Sequence, residues 1–455
     1  MRIRSQKQLY FKPESASYAK KDELSQTSEI LESLESYDEI LGLVQRDLSP
    51  SGRRKRCGRE GMTAEQVFRS LLLLRRFDYS YRGLADEIED SNSVRDFLKI
   101  GPYDKGFKYK TLQSNIKLLS EGTLDFADEV IKRYAESLGV ENGEEIRTDG
   151  FTTQTNIHYP TDWSLMNDSI RVLSRVLTCA LEDLGVPIEF VNHYRASKKK
   201  LFNINNSSSE KKKHKWNLEL IRLCRKTINY SKNALPALES FDGCKSIADL
   251  VKLQGFIGEL KQFIPLAERI LDQAYRRIVC GEHVPADEKL FSIFEPDTDI
   301  IVKGRREVVF GHKITITTGK SSLILDVDIH EGNPADSTLV KGVIEHHKDF
   351  YGAVPQKAVF DGCYSSTDNR KWVLSEGVQD VCFSKETDEE SACSKAVRKA
   401  LRFFRAGIEA TVSMLKRMFG LTRVRDKGLA SFRKAVKSAT LSYNLFILSR
   451  LALKA

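Results

Sequence analysis

Apolar positions switch between two periods along the chain, and the switches divide it. From residue 63 to about 139 they recur every three or four positions, as in AEQVFRSLLLLRRF and KTLQSNIKLLS, which predicts helices. Ser80 and Ser91 or Asn92 stand where helices would start and suit N-caps. Residues 1–60 are polar and charged and end in SGRRKRCGREG; they predict an arm carrying a short helix in SEILESLESYDEILGLVQ. At 145 the pattern alternates: EEIRTDGFTTQTNI reads as a strand or hairpin. Helical spacing returns from 163 to about 280. SKKKLFNINNSSSEKKKHKW interrupts it with two lysine runs and a polar tip, predicting two long helices joined by a basic loop. SIADLVKLQGFIGELKQFIPLAERILDQAYRRIV predicts another long helix, kinked at Pro265.

From 290 strands return in EVVFGHKITITTG and SSLILDVDIHEG, with a turn at Gly319-Lys320. NPADSTLVKGVIEHHKDF predicts a helix capped near Asp336 or Ser337. KAVFDGCYSS predicts a short buried strand, STDNRKWVLSEG a helix and VQDVCFSK a strand. In RFFRAGIEATVSMLKRMFG, Ile408, Val412, Leu415 and Phe419 would line the core face of a final helix. Strands alternating with helices predict an α/β fold with a mixed sheet.

The 455 residues suggest two or three domains. A net charge of +9 suits a polyanionic partner. The eight cysteines (Cys57, Cys179, Cys224, Cys244, Cys280, Cys363, Cys382, Cys393) form no CxxC pair and no zinc spacing with histidine, so they read as reduced thiols of a cytosolic protein. MRIRSQKQLYFK lacks the apolar core of a signal peptide, and no apolar run is long enough to span a membrane.

The candidate chemistry lies in carboxylates. Between Lys395 and Arg425 there are nine Lys/Arg residues and one acid, Glu409. Arg405, Glu409 and Lys416 share one helix face, which alone would be a surface ion pair. Two aspartates end their strands in the same way, Asp149 in IRTDG and Asp361 in AVFDG. Each alone suits a turn before glycine, but ligand-binding residues of open α/β sheets gather at strand ends. Three carboxylates meeting in space repel one another unless cations intervene. Hard ions such as Mg²⁺ take carboxylate oxygens, and a metal pair can drive in-line phosphoryl transfer. Asp326 and Asp328 read as solvated or edge carboxylates on the other strand face, His158 and His312 as hydrogen-bonding anchors, and Asp162 and Asp336 as helix N-caps. The lysine runs at 198–200 and 211–213 suit phosphate contact or a solvated loop.

The set TDGFTTQTNIHYPTDWSLMNDSIRVLSR, FGHKITITTG, LILDVDIHEGNPADS, VFDGCYSS and RAGIEATVSMLKRMFGLTRVRDKGL, in this order, resembles the DDE transposases of bacterial insertion sequences, in an ISNCY-like flavour. The resemblance runs from about 60 to 450 and implies a ribonuclease H-like mixed sheet with a large helical insertion after the first strand. Residues 1–60 read as a polar, basic arm; the short capped helices of 61–140, with their basic ends, suit an all-helical DNA-binding domain of helix-turn-helix kind or a purely structural bundle; and 141–455 is the ribonuclease H-like catalytic domain, with the insertion at about 163–285. Asp149, Asp361 and Glu409 match the catalytic, metal-holding triad, taking two Mg²⁺ (or Mn²⁺) ions. Arg405 and Lys416 match the cations flanking the Glu. Together with Arg417, Lys211, Lys212 and Lys213 they are the expected DNA contacts. Two positions depart from the pattern: Arg402 replaces a usual Tyr, and Gly150-Phe151 replaces the commoner Thr-Thr.

The implied partners are duplex DNA, both terminal inverted repeats and target, and further copies of the chain in synapsis. The implied setting is the bacterial cytoplasm, at the nucleoid, with no membrane contact. The implied reaction is cleavage at element ends followed by transfer of the 3′-hydroxyls. The rival readings are a nuclease of the same fold without strand transfer and an inactive DNA-binding protein.

Overall fold

The computed structural model describes residues 19–49, 61–303, 307–384 and 393–453. Residues 1–18 of the expected arm and all of the basic run SGRRKRCGREG but its last glycine fall outside them. Compactness divides the chain after Thr155 and again after Gly311, so residues 156–311 form one unit and the segments on either side form the other.

The outer unit opens with helices α1 (Ala19–Ser33), α2 (Tyr37–Leu48), α3 (Ala64–Arg76), α4 (Tyr81–Asp90), α5 (Asn92–Phe97), α6 (Tyr109–Ile116) and α7 (Glu121–Ser137). The short helix expected before residue 60 is thus two helices. Leu24, Leu31, Leu34, Ile40, Leu41 and Val44 form an apolar stripe that is buried in the main core. Thr63 and Gln66 close a reciprocal capping box at the start of α3. Ser80 and Ser91 accept from backbone N–H groups in the first turns of α4 and α5, as their spacing predicts.

Strand β1 (Glu145–Gln154) follows, and then the chain enters the inner unit. That unit holds α8 (Asp162–Leu184), α9 (Tyr194–Asn206), α10 (Glu210–Glu239), α11 (Ile247–Ile278), β2 (Asp299–Lys303) and the start of β3 (Glu307–Thr318). Its core includes Leu173, Leu177, Leu220, Cys224, Leu260 and Ile270. The lysine runs are helical rather than looped: Lys198–Lys200 lie in α9 and Lys211–Lys213 in the first turn of α10. Lysine forms helix well, and Ser209 caps α10, so the connection shrinks to Ser207–Ser209. Helix α11 runs continuously through Pro265. Asp162 does not cap α8; Thr161 does, and Asp162 pairs with Arg277 at 2.7 Å.

Beyond β3 come β4 (Ile324–Ile329), α12 (Val340–Tyr351), β5 (Lys357–Phe360), α13 (Thr367–Ser375), β6 (Asp380–Phe383), α14 (Lys395–Met418) and α15 (Leu429–Ala452). The sheet is mixed, ordered β2-β3-β1-β5-β6, with β4 also on β3. β1, β5 and β6 are parallel, while β3 and β4 are antiparallel. One apolar cluster joins the N-terminal helices to Ile146, Phe360 and α12. Another packs Phe151, Ile314 and Ile316 under α14 and α15. The sheet is therefore covered on both faces, as parallel strands require.

Arg69 ties the N-terminal helices together. Its side chain is fully buried and donates to Glu65 Oε1 (3.0 Å), Tyr37 Oη (3.2 Å), Ser28 Oγ (2.6 Å), the Phe97 carbonyl (3.1 Å) and Glu32 Oε1 (3.1 Å). Arg69→Met would leave buried Glu65 without its cation. The expected loss is about 3–5 kcal/mol, read from urea denaturation. A loss below about 1 kcal/mol would show that the network only decorates the core.

Candidate active site

Register brings the first two carboxylates together. Thr148 of β1 pairs with Phe360 of β5, so Asp149 and Asp361 follow at the same level on adjacent parallel strands. Neighbouring strands lie about 4.8 Å apart, and in-register residues point to one face. Helix α14 runs beside both strands and supplies Glu409. At its N-terminal side Ser394 accepts from Val397 N–H, and its last turn carries Lys416 and Arg417, the sign a helix C-terminus favours.

The three carboxylates meet at Arg405. Its Nη1 lies 3.3 Å from Asp361 Oδ1 and 3.7 Å from Asp149 Oδ2, and its Nη2 lies 3.2 Å from Glu409 Oε1. The sequence shows only the last contact, because Arg405 and Glu409 are four apart on a helix. The others depend on strand pairing across the chain. Glu409 is the outermost of the three, 65% exposed against 23% for Asp149 and 29% for Asp361.

Asp149 takes up protons far more readily than an ordinary aspartate, with its pKa pushed up to about 6. Burial is the main cause. The charges of Asp361 and Glu409 push the same way, while the Gly150 N–H bonded to Oδ1 (2.8 Å) and Arg405 oppose them.

Behind β1 lies a cluster that the sequence did not single out. A side chain at Gly150 would meet Tyr364 Oη at 3.2 Å and Asp336 Oδ1 at 3.5 Å. Lys313 pairs with Asp336 at 2.6 Å and donates to the Pro334 carbonyl at 2.7 Å. Asp336 thus opens a short 3-10 turn rather than capping α12. The glycine that departs from the commoner family start is the residue this close packing admits.

Other sequence candidates lie apart. Asp326 and Asp328 sit on β4, separated from β1 by β3. Asp326 bonds His346 Nδ1 at 3.0 Å, which raises that histidine's pKa to about 9. Asp328 lies 3.5 Å from His330. His312 is buried with its ring edge-on to Phe432, and His158 lies 3.6 Å from Asp168 in the inner unit. Lys416 Nζ stands 5.5 Å from the Phe151 ring centre, and Arg417 and Arg402 are exposed on α14. Lys213 pairs with Glu210 at 2.7 Å, and Lys211 and Lys212 are exposed.

The residues suit a hard divalent cation in kind. All three side chains are carboxylates, and the point they share already holds a positive group, the guanidinium. Among the described residues no three ligating side chains are gathered as closely as a bound ion needs. The donor chemistry fits, with Arg405 standing where positive charge is required.

The raised pKa makes a stability prediction for the metal-free protein. The folded state holds the Asp149 proton more tightly than the unfolded state, so it binds more protons between about pH 4 and about pH 6. Stability from this group is complete below about pH 4 and is lost as pH rises through about 6. Asp149→Asn should therefore stabilise the protein in chelator at pH 7.5 by on the order of 1–2 kcal/mol, and clearly less at pH 4.5. Denaturant unfolding at both pH values checks this; equal effects, or destabilisation at pH 7.5, would contradict it.

Residues 283–445 match the family model of the transposase DDE domain. The matched span contains Asp361, Arg405, Glu409 and Lys416 and begins after Asp149. No curated protein and no solved structure matches the chain. The match runs from before β2 to within α15 and supports a transposase DDE domain of the insertion-sequence kind in this part of the chain.

Proposed function

We propose that this transposase cuts the phosphodiester bonds at the ends of its element and joins the freed 3′-hydroxyls to target DNA. The reading rests on one observation: Asp149, Asp361 and Glu409, from two strands and a helix, all face the Arg405 guanidinium. In the first step water attacks phosphorus and the bond to the 3′-oxygen breaks, so that the strand ends in a hydroxyl. In the second step that hydroxyl attacks a target phosphorus in line and displaces another 3′-oxygen. Asp149, Asp361 and Glu409 would hold the two divalent ions, Mg²⁺ or Mn²⁺. Bound there, such ions supply an acidified water and positive charge for the leaving oxygen.

The chain's own residues account for the rest. Arg405 balances the carboxylates and presents a planar donor fork suited to phosphate. Lys416 and Arg417, on the last turn of the same helix, are assigned to the DNA backbone, as are Lys211, Lys212 and Lys213 of the inner unit. The helical region 61–140 is assigned to the element ends. Two ends must be joined, so at least two copies of the chain act together in synapsis. Among the described residues no helix is long and apolar enough to cross a membrane.

Three measurements test the reading. Glu409→Gln should lower Mg²⁺-dependent nicking of element-end DNA by at least about 100-fold while DNA affinity stays within a few-fold. Nicking near the parental rate would remove Glu409 from the site. A pre-cut end offered with target DNA separates a transposase, which joins it, from a nuclease, which does not. Binding should also weaken with salt, each neutralised phosphate adding about −0.9 to the slope of log K against log salt. Changing Lys211, Lys212 and Lys213 together to Ala should flatten that slope without changing sequence preference; an unchanged slope would mean that these lysines only solvate α10.

A further inference from the structure

Arg147 is a cation inside the sheet, two residues before Asp149 on β1 and 5% exposed. Every arm of its guanidinium is used. Nε donates to Thr318 Oγ1 at 2.9 Å, Nη2 to Ser322 Oγ at 2.8 Å, and Nη1 to the main-chain carbonyl of Phe404 at 2.7 Å. The first two bonds fix the side chain against the end of β3 and the turn that follows. The third reaches into α14, whose Phe404 ring also lies 4.7 Å from the guanidinium carbon.

Gly407, the next turn of α14, passes directly over this group. A Cβ there would stand 1.9 Å from Arg147 Nη1 and 2.7 Å from its Cζ. An arginine tip can usually swing aside, but three hydrogen bonds and burial hold this one. Gly407 lies inside a regular helix, where glycine costs about 1 kcal/mol relative to alanine. Close approach, not backbone freedom, is what the glycine provides here.

We propose that Arg147 and Gly407 are positioning residues that set the register of α14 over β1. They thereby fix Arg405 and Glu409 against Asp149. The proposal rests on those carboxylates being the active site. Glu409 is two residues beyond Gly407, and Asp149 two beyond Arg147, so the lock ties together the two elements that must meet. A slip of one residue along α14 would move Glu409 by about 1.5 Å and turn it by about 100°. Misplacement on that scale can cost about 100-fold in rate.

The test uses the full chain and four proteins: parental, Gly407→Ala, Arg147→Lys, and the two changes together. Each is assayed for melting temperature, DNA affinity and Mg²⁺-dependent nicking. Gly407→Ala, which on helix propensity alone would stabilise, should instead slow nicking about 100-fold with DNA affinity within three-fold of parental. In the combined variant the lysine still offers an N–H to the Phe404 carbonyl but carries no guanidinium to collide with the new methyl. Nicking should recover at least about ten-fold over Gly407→Ala. A Gly407→Ala protein that cuts at the parental rate, or a combined variant no better than it, overturns the proposal. If Gly407→Ala fails to fold, the combined variant must fold, and its failure overturns the proposal too. If the parental protein does not nick at all, the reading of the active site fails. The lock is then judged by melting: the combined variant must melt above Gly407→Ala.

Discussion

Three like charges held around one guanidinium are the constraint on which the rest of the candidate site depends. Two carboxylates on neighbouring strands, about 5 Å apart, repel by about 3 kcal/mol at an effective dielectric of 20. The chain accepts that cost because Arg405 reaches all three. Several distant features must agree for this to happen. β1 and β5 must pair in register, α14 must lie across them, and Arg405 must point inward while the exposed side of the helix carries Lys399, Arg402 and Arg417. A single-residue slip of the strand pairing would turn one aspartate to the opposite face. Register here is specified by burial, since Ile146, Ala358 and Phe360 all enter the same core.

The parts of this site legible in the sequence are those set by local pattern. Asp361 follows its strand directly before a glycine, as the pattern suggests, and Glu409 stands alone among cations with an apolar face behind it; Asp149, read as a strand end, lies instead in the middle of β1, which continues through Gly150 to Gln154. What could not be read is the pairing, because nothing local says that residue 148 lies beside residue 360. Arg405 therefore read as a neighbour of Glu409 facing DNA, whereas its contacts with both aspartates come from long-range topology. Arg147 did leave a signal, a charge between Ile146 and Thr148 in a strand otherwise built for burial. Such a charge needs a partner, and only the fold supplies it, in the Phe404 carbonyl.

The misread elements share a physical cause. Residues 19–48 are polar on average, which hides an apolar stripe spaced for helix burial. The lysine runs looked like loop because they are charged, yet lysine's straight side chain suits helix and leaves its ammonium in water. In both cases average polarity misled where periodicity would have served. Asp162 and Asp336 misled differently: each begins a helical turn, but a nearby cation, Arg277 or Lys313, competes successfully for its carboxylate. The cation offers the carboxylate a full counter-charge, which the partial charge of a cap N–H does not.

Charge arithmetic gives the site its direction. Three ionised carboxylates and one guanidinium sum to −2, and that surplus adds to burial, the larger cause, in raising the proton affinity of Asp149. A site of this sign repels a phosphodiester. The surrounding cations of α14 suit a polyanion but cannot cancel a charge seated among the carboxylates. Phosphate can approach the carboxylates only once further positive charge joins them. The exposure gradient sets where that charge enters: Glu409 is open to water, while Asp149 and Asp361 lie deeper. On the proposed function, Arg405 would serve the carboxylates as a counter-ion and, with DNA bound, as a phosphate contact, which would reconcile its inward geometry with its place on a basic helix.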